Sequence, residues 1–101
     1  MTHGKFFDEA YFWLLKVPRG KVTTYGEIAR VMGGKAYRAV GLAMKNNKGS
    51  PEIPCHRVVK SNGEIGGFAF GVEKKIDMLE GEGVEVKEGK VDMERYFFGF
   101  G

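Results

Sequence analysis

Cysteine, histidine and long apolar runs are all scarce in this sequence. Its one cysteine, Cys55, excludes an internal disulfide and a zinc site built on several thiolates. The two histidines, His3 and His56, disfavour a His-rich metal site, so we expect no metal. We also expect no cofactor. The longest apolar run, from Ala10 to Leu15, has six residues, too few for a membrane span or a signal-peptide core. We therefore expect a cytoplasmic protein without membrane contact.

The charge of the chain is distributed unevenly. Its 101 residues are 43% hydrophobic and 29% charged, which is typical of one small folded domain, taken here as residues 1–101. Residues 16–60 hold ten Lys or Arg and two acids, a net charge of +8, whereas the remainder holds six Lys or Arg and eleven acids, a net charge of −5. This segregation favours a basic surface for a polyanion such as nucleic acid. Chance clustering on a solvated surface is the alternative.

Apolar spacing and capping residues predict a helix-turn-helix near the N-terminus. Apolar residues from Phe6 to Val17 share one helical face, and Pro18-Arg19-Gly20 ends this first helix. The T-x-x-E capping box of Thr24–Glu27 predicts a second helix that begins at Tyr25. After a glycine turn, a third helix is expected from about Ala36 to Asn46.

The second half of the chain predicts one hairpin and one more helix. Ser61-Asn62-Gly63 is typical of a tight turn, and Val58–Lys60 and Glu64–Ile65 on either side of it predict a β-hairpin. Apolar residues from Val72 to Leu79 mark a fourth helix, closed by a following glycine. The aromatic residues of Tyr96–Phe100 are expected to pack onto the core. These elements predict a mainly α fold, α+β at the margin, in a small winged-helix-like domain.

The third helix has an unusual composition. Small residues alternate with cations along it: Ala36, Ala39, Gly41 and Ala43 with Lys35, Arg38 and Lys45. A surface of small residues lets a helix approach another body closely, and that body is either a core neighbour or a nucleic-acid groove. The flanking cations favour the groove.

Cys55 and His56 form the pair of residues best suited to chemistry. A thiol becomes a nucleophile when a base lies nearby or its pKa is lowered. Adjacent side chains diverge in regular structure, but Pro54 favours an irregular turn from which they could communicate through a water molecule. The alternatives are an inert buried cysteine and a histidine with a purely structural role.

Four segments together resemble the catalytic domain of the O6-alkylguanine-DNA alkyltransferase family. They are VPRGKVTTYGEIA (17–29), YRAVGLAMKNN (37–47), IPCHRVV (53–59) and the glycine loop 66–71, and the resemblance covers roughly residues 5–86. It implies base flipping in double-stranded DNA bound through the minor groove. It also implies irreversible, stoichiometric transfer of an alkyl group from guanine O6 to the protein's own cysteine. A monomer is expected.

The resemblance also implies roles for particular residues. Cys55 would accept the alkyl group, and His56 would act as the base through a water molecule. Glu82 would orient His56, and Asn47 would brace the turn that carries Cys55. Tyr25 would lie over the base pocket and assist departure of the guanine.

The remaining roles concern DNA and the pocket wall. Arg38 would enter the space left by the flipped nucleotide. The DNA-facing helix residues would be Ala36, Ala39, Gly41 and Lys45, with Tyr25 beside them. The pocket would be lined by Val58, Gly67, Phe68 and Ala69, with Lys75 in support.

Some positions differ from the family pattern. Phe68 and Ala69 stand where tyrosine and serine are common, and Phe70 replaces a small residue. The short chain and its tail from Gly81 to Tyr96 also resemble alkyltransferase-like proteins, which recognise alkylated guanine without transfer and typically lack the cysteine. A third hypothesis is a helix-turn-helix regulator with an incidental thiol, and a cysteine hydrolase is the least favoured. The presence of Cys55 favours transfer.

Overall fold

A computed structural model describes most of the chain, and five helices and two small sheets make up the described part. The described residues are 4–34, 36–47, 52–68 and 70–101. The helices are α1 (Gly4–Leu14), α2 (Tyr25–Val31), α3 (Tyr37–Lys45), α4 (Val72–Gly81) and α5 (Met93–Tyr96). The strands are β1 (Thr23–Thr24), β2 (Val58–Val59), β3 (Val86–Lys87) and β4 (Lys90–Val91). The mainly α prediction is therefore confirmed.

Helix α1 ends three residues before the predicted boundary. Ala10 and Leu14 are fully buried, as the apolar spacing requires. Val17 is also buried, but it lies in a tightened turn whose backbone N–H donates to the Leu14 carbonyl at 3.0 Å. The apolar face therefore continues beyond the α-helix.

Helix α2 begins at Tyr25 because Thr24 caps it. The Thr24 hydroxyl accepts the backbone N–H of Glu27 at 2.9 Å. The Glu27 carboxylate accepts hydrogen bonds from the Arg30 side chain and from the Phe100 backbone N–H at 2.8 Å. The same carboxylate thereby ties the C-terminal segment to α2.

A glycine turn leads from α2 to α3, which confirms the helix-turn-helix. Gly33 has φ +89°, a conformation that favours glycine. Val40, Ala43 and Met44 turn the buried face of α3 towards α1 and α2. Its opposite face is exposed at Arg38.

The sheet pairing differs from the prediction. The turn at Asn62-Gly63 forms, with the Gly63 N–H donating to the Lys60 carbonyl at 2.8 Å. However, β2 pairs in parallel with β1, with Thr23 opposite Val58. The antiparallel hairpin of the fold is β3–β4. Val58 and Val59 are both fully buried, and strands buried on both faces suit parallel pairing.

The C-terminal segment packs back onto the N-terminal half. The Val22 N–H donates to the Tyr96 carbonyl at 2.9 Å, and the Phe98 N–H donates to the Val22 carbonyl at 2.7 Å. The ring of Phe100 meets that of Trp13 edge-to-face, with centroids 5.4 Å apart. The predicted packing of the aromatic tail is therefore confirmed. None of the described helices has the length and apolar character to cross a membrane.

Candidate active site

Cys55 opens a short 3₁₀ turn, Cys55–Arg57, between the loop after α3 and strand β2. The turn is closed by the Arg57 N–H, which donates to the Pro54 carbonyl at 2.9 Å. Buried Asn47 donates from its side-chain amide to the Ile53 carbonyl at 2.7 Å. Asn47 therefore joins the end of α3 to the segment that delivers Cys55.

Cys55 lies at a cavity of about 460 Å³, although only 3% of the residue is exposed. This volume is within the range of sites for small organic ligands. The residues around Cys55 in the lining are Tyr25, Gly41, Met44, Lys45, Gly67 and Phe68. A second cavity, of about 560 Å³, shares Tyr25, Gly41 and Gly67 with the first. The cysteine is thus buried in the fold and still faces a space that a ligand can enter.

His56 is held by Glu82, which follows α4. His56 Nε2 lies 2.9 Å from Glu82 Oε2, and only 1% of the histidine side chain is exposed. Burial opposes the charge on Glu82, but hydrogen bonds from Arg57 and His56 outweigh it and lower its pKa to about 2. An ionised carboxylate only accepts, so Nε2 carries the proton of this hydrogen bond.

The other imidazole nitrogen is available as an acceptor. Burial lowers the pKa of His56, and the hydrogen bond and charge of Glu82 only partly oppose this effect. The imidazole is therefore neutral at pH 7, with its proton on Nε2 and a lone pair on Nδ1. Within the described part of the chain, no group bonds to Nδ1. The arrangement has the form of a general base oriented by a carboxylate.

Arg57 is a member of this cluster that the sequence analysis missed. Its Nε donates to Glu82 Oε1 at 2.9 Å, and one of its terminal nitrogens donates to Oε2 at 2.8 Å. The other terminal nitrogen donates to the Val17 carbonyl at 2.8 Å. The signal was its place in the IPCHRVV segment, directly after His56.

Lys75 supports the wall of the cavity from α4. It is fully buried, and its ammonium donates to the carbonyls of Val58, Ile65 and Gly67 at 2.7, 2.5 and 3.1 Å. Burial lowers the pKa of Lys75 to about 8, against a smaller raising effect of Cys55. Lys75 therefore fastens β2 to the glycine loop that contributes Gly67 to the cavity.

Tyr25 lies between the two cavities at the start of α2. Burial raises the pKa of its phenol, and the nearby charge of a Cys55 thiolate raises it further. Tyr25 is therefore a neutral hydroxyl at pH 7 and can donate a hydrogen bond into either cavity.

The structure does not bring every predicted residue to the cavity. Val58 is fully buried in the core, and its carbonyl is engaged by Lys75. Ala36 and Arg38 are exposed, and Ala39 is half-buried, whereas Gly41 and Lys45 line the cavity. Ala69 lies outside the described residues. Over the described ranges, no group of three or more potential metal ligands occurs.

Comparison with known proteins places this site in a family. A family model described as 6-O-methylguanine DNA methyltransferase, DNA binding domain, matches residues 5–84. The chain belongs to this family. The resemblance carried by the sequence motifs is thereby confirmed, and the match spans every residue of the proposed site.

Relatives of this domain include an alkyltransferase-like protein as well as named methyltransferases. Alkyltransferase-like protein 1 of Schizosaccharomyces pombe is 42% identical over 89 residues, covering 85% of this chain and 82% of that protein. A methylated-DNA–protein-cysteine methyltransferase of Saccharolobus solfataricus is 48% identical over 75 residues, covering 74% of this chain and 48% of that protein. A bifunctional methyltransferase/endonuclease of Picrophilus torridus is 40% identical over 93 residues, covering 91% of this chain but 31% of that protein.

Solved structures similar to this chain also include both an alkyltransferase-like protein and a methyltransferase. Schizosaccharomyces pombe Atl1, in complex with damaged DNA containing O6-carboxymethylguanine, superposes with a TM-score of 0.83 at 35% identity. That match covers 93% of this chain and 94% of Atl1. Mycobacterium tuberculosis OGT in complex with DNA gives a TM-score of 0.74 at 40% identity, covering 76% of this chain and 48% of OGT. The domain thus spans nearly all of the alkyltransferase-like protein and about half of the methyltransferase.

Proposed function

We propose that this protein repairs O6-alkylguanine in DNA by transferring the alkyl group to Cys55. The observation that supports the proposal is the cluster at the cavity. A cysteine faces a cavity of about 460 Å³, large enough to admit a purine base, and the next residue is a neutral histidine whose Nε2 is engaged by Glu82 at 2.9 Å. Cys55 supplies the nucleophile that transfer requires and that recognition alone does not.

The transfer would consist of one proton transfer and one displacement. The Cys55 thiol loses its proton towards His56 Nδ1 through a water molecule, and Glu82 stabilises the imidazolium that forms. The thiolate attacks the carbon bound to guanine O6, the C–O6 bond breaks, and its electron pair stays with the guanine. Tyr25 donates a hydrogen bond to the departing base, and the proton held by His56 restores neutral guanine.

DNA would reach the cavity along the exposed face of α3. The target base must leave the duplex, at a cost of a few kcal/mol. Arg38 is exposed on that face, so it can fill the space that the base leaves, while small residues permit a close approach to the minor groove. The +8 charge of residues 16–60 supplies attraction to the phosphates.

Each molecule would act once. The product is a thioether at Cys55, and the sequence contains no second cysteine to take the group onward. That residues 1–101 form one alkyltransferase domain, as a cytoplasmic monomer, remains our prediction.

Intact-mass spectrometry tests the proposal. After incubation with duplex DNA containing O6-methylguanine, we expect a gain of one methyl group per chain, mapped to Cys55. The Cys55→Ser variant should bind the same DNA without a mass change. Tight binding by the unaltered protein with no mass gain would overturn transfer.

That contrary result is what the second candidate function predicts. The protein would then recognise O6-alkylguanine without repairing it and mark it for another pathway. The near-complete coverage of Atl1, in sequence and in structure, favours this candidate. The nucleophile and base at Cys55 and His56 are the reason that we place it second.

Replacing Arg38 should separate DNA capture from chemistry. In Arg38→Ala, we expect transfer from alkylated DNA to slow about tenfold, because the flipped state loses the side chain that replaces the base. Transfer from a free O6-alkylguanine base should be unchanged, since that substrate needs no flipping. Lys87→Ala in the β3–β4 hairpin is the charge-matched control. Equal losses on both substrates would remove Arg38 from the flipping step.

A further inference from the structure

Three side chains, rather than two, form the buried polar cluster behind the cavity. Glu82 accepts from both His56 and Arg57, and its oxygen Oε2 is shared by the two at 2.9 and 2.8 Å. Only 9% of the Glu82 side chain and 15% of the Arg57 side chain are exposed. At this burial the arrangement is well shielded from solvent, so both geometry and charge count for more than they would on the surface.

The guanidinium fixes the direction of the carboxylate. Its two bonds to Oε1 and Oε2 are bidentate, which sets the plane of the Glu82 carboxylate as well as its distance. Its third bond, to the Val17 carbonyl, anchors the guanidinium to the segment after α1. The backbone of Glu82 is held at the end of α4 by its N–H, which donates to the Leu79 carbonyl, and Arg57 sets the direction in which Oε2 points.

The positive guanidinium also opposes the effect of the Glu82 charge on the pKa of His56. Glu82, 2.9 Å from His56, stabilises an imidazolium and so raises the pKa of the histidine, against the lowering effect of burial. The positive charges that face His56 are those of Arg57, from its own turn, and Lys75, from α4. Both oppose protonation of the imidazole and add to the larger effect of burial, while the titratable groups on the cavity side are Cys55 and Tyr25.

We propose that Arg57 is a positioning residue for Cys55 alkylation, which aims the Glu82 carboxylate at His56 and adds to burial in keeping the imidazole neutral in the resting protein. This inference rests on the proposed function, since the neutral imidazole matters as the acceptor of the thiol proton. It assigns Arg57 a role beyond its contribution to folding. Arginine is required because a lysine ammonium makes no planar, bidentate contact.

Proton NMR titration of His56 tests the inference without any transfer. The titration uses the Cys55→Ser background, and His3→Gln leaves one imidazole to observe. Arg57→Met should raise the pKa of His56 by about one unit, because the Glu82 charge then acts on the histidine alone. Arg57→Lys, which keeps the positive charge, should stay within a few tenths of the parent. Arg57→Lys also provides a test if Arg57→Met does not fold. In Arg57→Lys, the alkylation rate should fall while the His56 titration does not move.

Alkylation rates with a free O6-alkylguanine base supply the second readout. In Arg57→Met, the acid limb of the rate–pH profile should move to higher pH with the His56 titration, and the maximal rate should fall about tenfold. An unmoved His56 titration in Arg57→Met, with only lower stability, would reduce Arg57 to a structural residue and overturn the inference. A full alkylation rate in Arg57→Lys would overturn the need for a bidentate contact. If unaltered protein shows no alkylation, the proposed function fails, while the NMR titration still decides whether Arg57 controls His56.

Discussion

Glu82→Gln should slow alkylation of Cys55 by about 10²-fold, the usual size of a contribution from general acid–base catalysis. The amide has nearly the shape of the carboxylate but carries no charge. The imidazolium that forms when the thiol loses its proton would therefore lose its stabilising partner 2.9 Å away. The measurement is the rate of mass gain at Cys55 in single-turnover reactions with O6-methylguanine DNA.

Glu80→Gln is the matched control, because Glu80 is exposed on the last turn of α4. We expect it to react at the rate of the unaltered protein. Both variants should be compared at a temperature where circular dichroism shows them folded. An unchanged rate in Glu82→Gln would remove Glu82 from the relay.

The same substitution should change the acid stability of the protein. The pKa of Glu82 is lowered from 4.5 to about 2, so its ionised form stabilises the fold above pH 4.5, and this contribution is lost as the pH falls towards 2. Glu82→Gln lacks the contribution at every pH. Its stability deficit, measured by urea unfolding, should therefore be largest near neutral pH and shrink on acidification.

Lys75→Met should lower the free energy of unfolding by about 2 kcal/mol, because three carbonyls lose their buried donor. Methionine also removes the cost of burying a charge, which limits the loss. The cavity wall formed by the glycine loop should loosen as well, since the contact to the Gly67 carbonyl disappears. We therefore expect a lower denaturant midpoint together with slower alkylation.

The neighbouring Lys74→Met is the control for Lys75→Met. Lys74 lies on the same helix and is exposed, so its replacement should leave both quantities unchanged. If Lys75→Met were as stable as the control, other donors would satisfy the three carbonyls, and the bracing role would be wrong.

A pH series gives an independent check on Lys75. Its pKa is lowered from 10.5 to about 8 in the fold, so between these values the unfolded chain binds more protons than the folded one. The Lys75 contribution to stability should then rise as the pH increases from 8 to 10.5. The difference in unfolding free energy between the protein and Lys75→Met should grow in the same direction.

Helices such as α2 were predictable because the residues that begin and end them lie within the same short segment. A hydroxyl at Thr24 and the glycine at Gly33 define both ends of α2 by bonds and angles within a few residues. The pairing of β2 was not predictable in this way. Its partner, Thr23–Thr24, lies more than thirty residues earlier, and a short apolar run beside a turn is compatible with either a hairpin or a parallel pair.

The candidate site was also predictable only in part from the sequence. The motifs gave the residue types of the site, including the neighbouring Cys55 and His56, and the family to which the domain belongs. The contact between His56 and Glu82 was expected from the resemblance alone, whereas the second partner of Glu82, Arg57, emerged only from the structure.

By itself, the sequence determined the first four helices, the family, the basic character of residues 16–60 and the cysteine at which chemistry is proposed, since composition, capping and motif spacing are properties of the chain. Only the tertiary structure decided that Cys55 is buried yet faces a cavity, that the Lys75 ammonium holds three carbonyls, and that one carboxylate serves both His56 and Arg57. These features depend on groups far apart in the sequence. Their distances and their separation from water are fixed only when the helices pack.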